Sequence, residues 1–495
     1  MIPYGEILCR KVVCSIGKKK KEVTLEVVGG NATGVTGSCT KIEFYGRTIL
    51  FELGMVQDNS TILGNYKDNC AILNKIKPKK VQMVIIGHNH CDHIGLIPML
   101  FARGNTNVKI ITPKDTTCIL REMWSDTAFI NERDVDYLNR KGDKAYTPLY
   151  TQNEVEMALK NVIEIEIGDI VKIDDNISIR YTPSGHILRA CQTELYINGG
   201  SHTRKILFTS DLGNKMIADK KVFVEQFQPI SSSNIVIGEA TYGLRKGSMT
   251  KKDIELDRKK MKSVIEQYCV DNKHRVLIPT FSLDRMPHIL WELYQLFGND
   301  ESFNIPILVD SPLANRLLDC YSSILTGDAK EKFDDMMSWK NIRRVITPED
   351  SKAFIADKGA KVICASSGML CAGRSVRWIQ SILPNENDCV LFVGFAGQDT
   401  LAGRIKNSSA QKTININGKP YKNKCNLVDL KSYSSHMQHN DLVNYYKSIN
   451  CEKIFLVHGD DKARLELKED LEKALVDCCK STRVIIVNKG TKISL

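Results

Sequence analysis

An α/β fold, with strands and helices alternating around mainly parallel sheets, is what this 495-residue sequence predicts. Two observations carry the expectation. Short apolar, β-branched runs alternate with helical stretches for most of the length. Ligand-type polar residues also recur at the C-terminal ends of those runs, the edge where open α/β sheets build their sites. The N-terminal third opens differently, because VTLEVVGG, CTKIEFYG and RTILFEL read as hairpin-linked antiparallel strands. VQMVIIGH (81–88) is the next strand, and a mainly helical, polar segment follows over about 115–165. ISIRYTP (177–183) and KILFTSD (205–211) extend the β pattern, and NIVIGEA (234–240) continues it. The rhythm then becomes regular. Strands RVLIPTF (275–281), IPILVDS (305–311), KVICASS (361–367), VLFVGF (390–395) and KIFLVHG (453–459) are spaced by helical patterns near 251–270, 284–297, 312–323 and 461–477. No repeat, low-complexity tract or Pro-rich linker marks a domain boundary.

Bulk properties narrow the class. The chain is long for one core, so two domains are expected. Hydrophobic content of 42% and charged content of 26% fit a folded globular protein. No apolar run nears the roughly 20 residues a membrane helix needs, and the N-terminus lacks the pattern of a secretory signal, so a cytoplasmic protein is expected. Sixteen cysteines are scattered without CxxC pairs, which favours buried thiols over a disulfide framework. A net charge of +11 leans weakly toward a polyanionic partner. The lysines of 18–21 and Lys77, Lys79 and Lys80 read as solvated faces.

HNHCDHIG (88–95) gathers three of the chain's ten histidines beside an aspartate at a strand end. Residues two apart in an extended segment face one side, so His88 and His90 can clamp one ion. Asp92 and His93, aimed differently at the start of a helix, can serve a second. Imidazole nitrogen with carboxylate oxygen is the donor set of hydrolytic zinc, manganese or iron sites. Four residues cannot complete two sites. His186 in TPSGHILRA, Asp211 in LFTSDLGN and His458 in FLVHGDD sit at comparable strand ends, as do Glu52 and Glu239. Each could instead cap a turn if read alone.

HxHxDH, then GH, then the aspartate of SDLG form an ordered set that resembles the metallo-β-lactamase fold. The downstream set resembles its β-CASP branch of nucleic-acid processing enzymes. INERDVDYLNRK, PLYT, GHILRA, LFTSDLGN, EATYG, VLIPTFSLDR, PILVDSPLA, ASSGMLCAGR, VLFVGFAGQDTLAGRI, YSSHMQHNDL and LVHGDD follow in family order through the chain. The resemblance implies an αββα sandwich with an inserted β-CASP α/β domain of mainly parallel sheet flanked by helices. The insertion is expected over 225–405, with the sandwich formed by 1–224 and 406–495. His88, His90 and His186 are then expected to hold one zinc and Asp92, His93 and His458 the other, with Asp211 bridging; Mn2+ is an alternative. His436 matches the motif B histidine and Glu239 the motif A acid, and with Asp92 they form the expected catalytic set.

Two departures stand out. Glu52 occupies a position where the family has aspartate, a residue that buttresses a metal-ligating histidine. Asn89 and Cys91 replace more usual apolar residues and are expected to point away from the ions.

The expected activity is zinc-dependent hydrolysis of RNA phosphodiester bonds by a two-metal hydroxide mechanism, leaving 5′-phosphate and 3′-hydroxyl ends. His436 is expected to protonate the leaving oxygen, oriented by Glu239. A histidine at 458 goes with the RNA-acting branches of the family, so single-stranded RNA is the expected partner. Arg285, Ser366, Ser367, Arg374 and Arg404 are expected RNA contacts. The resemblance is to the compact bacterial single-chain form, and a homodimer is expected. A DNA nuclease of the same fold, or a small-molecule thioester or lactam hydrolase, remains the alternative. His439 is expected to be a surface residue, and His202, His274 and His288 have no partner motif.

Overall fold

A computed structural model describes residues 14–16, 19–21, 23–57, 61–142, 144–198, 203–214, 222–394, 396–397 and 400–494. His202 and the side chains of 18–21 lie outside them. The chain forms two compact units, one from residues 1–212, 226–248 and 436–495 and the other from 213–225 and 249–435.

The first unit contains two seven-stranded sheets. One runs Lys492–Ser494, Val23–Val27, Thr40–Phe44, Arg47–Phe51, Val81–Ile85, Lys109–Pro113, Val162–Ile165. The other runs Arg483–Ile486, Lys453–Val457, Ile235–Glu239, Thr203–Phe208, Cys191–Asn198, Ile177–Pro183, Ile170–Lys172. Side chains that alternate along a strand divide between two layers. Ile206, Phe208, Ile235, Ile237, Phe455 and Val457 join Leu25, Ile42, Ile49 and Met83 in one core between the sheets, where Phe51 stacks on Phe208 at 4.1 Å. Leu207, Val236 and Leu456 point the other way. They pack under the helices His439–Ser448 and Asp461–Asp477 through Leu442, Tyr446, Leu467 and Leu471. This is the αββα sandwich expected from the sequence.

The second unit is built on a wholly parallel six-stranded sheet. Its order is Ile342–Arg344, Ile307–Asp310, Lys361–Ala365, Arg275–Pro279, Cys389–Phe392, Asn426–Asp429. The inner strands are buried at every position, as parallel strands covered on both faces must be. Local signals start the helices. Thr250 and Asp253 form a capping box for Lys251–Ile265, and Ser311 caps Pro312–Ile324 with proline in its first turn.

The units do not divide where the sequence reading places the insertion (225–405). Ile235–Glu239 is a strand of the first unit, paired in parallel with Thr203–Phe208 and Lys453–Val457. Asn426–Asp429 completes the second unit's sheet beside Cys389–Phe392, so that unit continues to residue 435. Backbone pairing, which composition does not mark, sets both borders.

Candidate metal centre

Strand ends of the first unit converge on one buried cluster. Val81–Ile85 delivers the loop that carries His88 and His90, and Ile177–Pro183 leads to His186. The three parallel neighbours Thr203–Phe208, Ile235–Glu239 and Lys453–Val457 release Asp211, Glu239 and His458 at the same edge.

Donor spacing tests whether a cation fits. Four ligands bonded tetrahedrally at 2.0–2.2 Å lie about 3.4 Å from one another. In one group, His88 Nε2 is 3.2 Å from His90 Nδ1, which is 3.3 Å from His186 Nε2. Asp211 Oδ2 lies 3.5 Å from His88 Nε2 and 3.4 Å from His186 Nε2. In the other group, His93 Nε2 is 3.3 Å from His458 Nε2, and Asp92 Oδ2 is 3.7 and 3.6 Å from those nitrogens. Asp211 Oδ1 joins this group, 3.5 Å from His93 Nε2. That oxygen is buried and accepts no hydrogen bond among the described residues. Imidazole nitrogens that face one another across such gaps are positioned for an ion, because two of them share at most one proton. The donors fit two divalent cations, with Asp211 common to both.

The cluster's field favours positive charge. Burial opposes protonation of His93, yet Glu52, Asp211 and Asp92 push it up to about 10. His458 is pushed up to about 9, against burial, by Asp211 and Asp92. Burial favours the neutral form of Asp211, but His458, His93, His88 and His436 hold it down at about 2. Asp92 and Glu52, also penalised by burial, are drawn well below the ordinary carboxylate range, Asp92 by His93 and His458 and Glu52 by His93 and His88.

Glu52 is fully enclosed and has a left-handed backbone, with φ of 60°. Its Oε2 accepts from His93 Nδ1 and from Ser38 Oγ, both at 2.6 Å. Its Oε1 accepts from Ser210 Oγ at 2.6 Å. The longer side chain thus keeps the buttress. Asn89 is buried with neither amide atom hydrogen-bonded among the described residues, and Cys91 lies 3.7 Å from Thr127 Oγ1. Burial pushes the Cys91 thiol up to about 12, so it stays protonated and unreactive.

His436 stands beside the cluster. Its Nδ1 lies 3.6 Å from Glu239 Oε1 and its Nε2 4.0 Å from Asp211 Oδ2, and its ring packs 4.6 Å from that of His186. Glu239 is anchored by the Leu212 and Thr241 amides, at 2.7 and 3.1 Å. Thr241 Oγ1 also meets His458 Nδ1 at 2.9 Å. Sequence reasoning missed Ser38, Ser210 and Thr241. Ser210 and Thr241 adjoin or nearly adjoin predicted residues, and that adjacency was their only signal.

One expectation changes. His439 is buried, with Nδ1 donating to the Gly243 carbonyl and Nε2 meeting Asp470. Arg374 is committed inside the second unit, where it donates to Asp310 and to the Val345 and Ile346 carbonyls. Arg285 likewise donates to the Val393 carbonyl and lies against the Phe281 ring. Both guanidiniums satisfy carbonyls that strand ends present. Ser366 Oγ donates to Ser311, and Ser367 Oγ accepts from the Cys371 and Ala372 amides. Arg404 is exposed on the helix Leu401–Lys406.

Comparison with known proteins agrees with the geometry. Residues 286–405 match the Beta-Casp domain, and residues 420–479 match the Zn-dependent metallo-hydrolase RNA specificity domain. A ribonuclease of Thermus thermophilus is 24% identical over 88% of this chain and 94% of its own length. A transcription termination factor of Methanocaldococcus jannaschii is 26% identical over 79% of this chain, which spans only 60% of that protein. A protein of unknown function from Enterococcus faecalis has the same fold, with a TM-score of 0.51 at 14% identity over 96% of this chain and 100% of its own. Among the described residues, no helix is long and apolar enough to cross a membrane. The chain carries a Beta-Casp domain and a Zn-dependent metallo-hydrolase RNA specificity domain, and with these relatives it is a metal-dependent hydrolase.

Proposed function

We propose that the chain is a zinc-dependent ribonuclease that hydrolyses RNA phosphodiester bonds and leaves 5′-phosphate and 3′-hydroxyl ends. The carrying observation is Asp211, whose two carboxylate oxygens face two different groups of imidazole nitrogens. His88, His90 and His186 would hold one ion, Asp92, His93 and His458 the other, and Asp211 would touch both. Two zinc ions there supply Lewis acidity toward a phosphoryl oxygen and a water that ionises near neutral pH.

The chain's own side chains do the rest. Glu239, fixed by two backbone amides, aims its carboxylate at His436 Nδ1 and so orients the ring. The other edge of that ring, with 20% of the side chain exposed, can give its Nε2 proton to the departing 3′ oxygen. RNA is favoured by the match of residues 420–479 to an RNA specificity domain and by the likeness to the Thermus ribonuclease.

The test uses end-labelled single-stranded RNA, single-stranded DNA and a thioester, with a His88→Ala, His90→Ala double variant as control. Cleavage confined to RNA, with the stated ends, and lost in the double variant is expected. RNA cleavage that survives the double substitution, or products ending in 2′,3′-cyclic phosphate, would falsify the reading.

A further inference from the structure

Glu52 Oε2 meets His93 directly, but its other oxygen meets a hydroxyl, and that hydroxyl meets a second histidine. Ser210 Oγ donates its single proton to Glu52 Oε1 at 2.6 Å. The same oxygen lies 2.9 Å from His88 Nδ1. With its proton committed, Ser210 can only accept there, so His88 carries its proton on Nδ1 and turns the Nε2 lone pair toward His90 and Asp211. His93 is set in the same tautomer by the carboxylate itself.

We infer that Ser210 is a positioning residue that relays Glu52 to His88, so that one carboxylate orients a histidine in each of the two ligand groups. The inference rests on the two-cation reading of the cluster.

Local geometry shows that the position uses this side chain. Ser210 has a left-handed backbone, with φ of 49°, which glycine adopts more easily than serine. Gly87 leaves the room behind His88 that the relay occupies. A Cβ at Gly87 would stand 2.7 Å from both Cβ and Oγ of Ser210 and 2.9 Å from Glu52 Oε1. Ser38 fills the remaining side of the carboxylate, its own hydroxyl accepting from Asn31 Nδ2 at 3.2 Å. Glu52 therefore has three fixed donors.

Two variants separate relay from fold. Ser210→Ala removes the hydroxyl and keeps the Cβ, while Ser210→Gly removes it and relieves the backbone. Zinc is titrated into the metal-free wild type and both variants by calorimetry, and the His88 ring is followed by 15N NMR in the same samples. The wild type is expected to take two equivalents and to show the Nδ1–H tautomer at His88. Both variants should bind one of the two ions about 10–100-fold more weakly and lose the fixed tautomer. Unchanged affinity and an unchanged tautomer in both variants, beside a wild type that binds two ions, overturns the relay alone. A wild type that binds no zinc overturns the two-cation reading and the relay's purpose with it.

Discussion

One methylene separates Glu52 from the aspartate that the family resemblance leads one to expect. That length decides what the carboxylate reaches: His93 and Ser38 with one oxygen, Ser210 with the other. Glu52→Asp retracts it and cannot keep every contact. Chelator competition should find zinc held roughly 10–100-fold more weakly in this variant, and equal affinity would count against the buttress. His436 is a different kind of residue, beside the donors rather than among them. His436→Ala is expected to keep the zinc stoichiometry while RNA cleavage falls by about 10²–10⁴-fold in single-turnover assays. Loss of zinc together with activity would make the residue a ligand instead. The residue scale was also the least legible in sequence. Arg285 and Arg374 stand in segments that read as phosphate contacts, but their guanidiniums turn inward to carbonyls that only the folded sheet brings near.

Elements were far more legible. All nine strands named between 81 and 459 form, because short apolar, β-branched runs bounded by turn residues are written directly in the residue types. Pairing was not, since a strand's neighbours depend on crossovers that no local pattern records. The strand Cys191–Asn198 illustrates what pairing adds. Glu194 is wholly buried on it, held by Arg180 from one neighbouring strand and Lys205 from the other. Burial alone would raise its pKa, but these two cations bring it below the ordinary value. A depressed folded-state pKa stabilises the fold above the unfolded value of about 4.3, and this contribution is lost as pH falls through the folded value. The melting temperature of Glu194→Gln should therefore lie below that of the wild type at pH 7, with the gap closing below about pH 4. A gap independent of pH would assign the loss to packing rather than charge.

At the scale of the whole molecule, every residue of both ligand groups belongs to the first unit. Binding that ties strand ends together stabilises the unit holding them, by about 2.7 kcal/mol when free metal is a hundred times Kd. Chelation should lower a calorimetric transition of the first unit and leave that of the second in place. A second-unit transition that moved with chelator would place ligands there. The opening histidine motif could be read as part of such a site because four ligand types crowd into six positions. Its completion could not be read from spacing, since His186, Asp211 and His458 come from strand ends that only the sheets bring together.

That dispersion sets an order in time. The second ligand group closes only when Lys453–Val457 has paired beside Ile235–Glu239 and brought His458 to the edge. At ordinary rates of synthesis the ribosome needs about 12–50 s to travel from Asp211 to His458. A nascent chain in that interval has left the ribosome with most of its donors but without a finished second site. An enzyme that cuts RNA is made on RNA, and the second ligand group of this one stays open until the strand that leads to His458 has been translated.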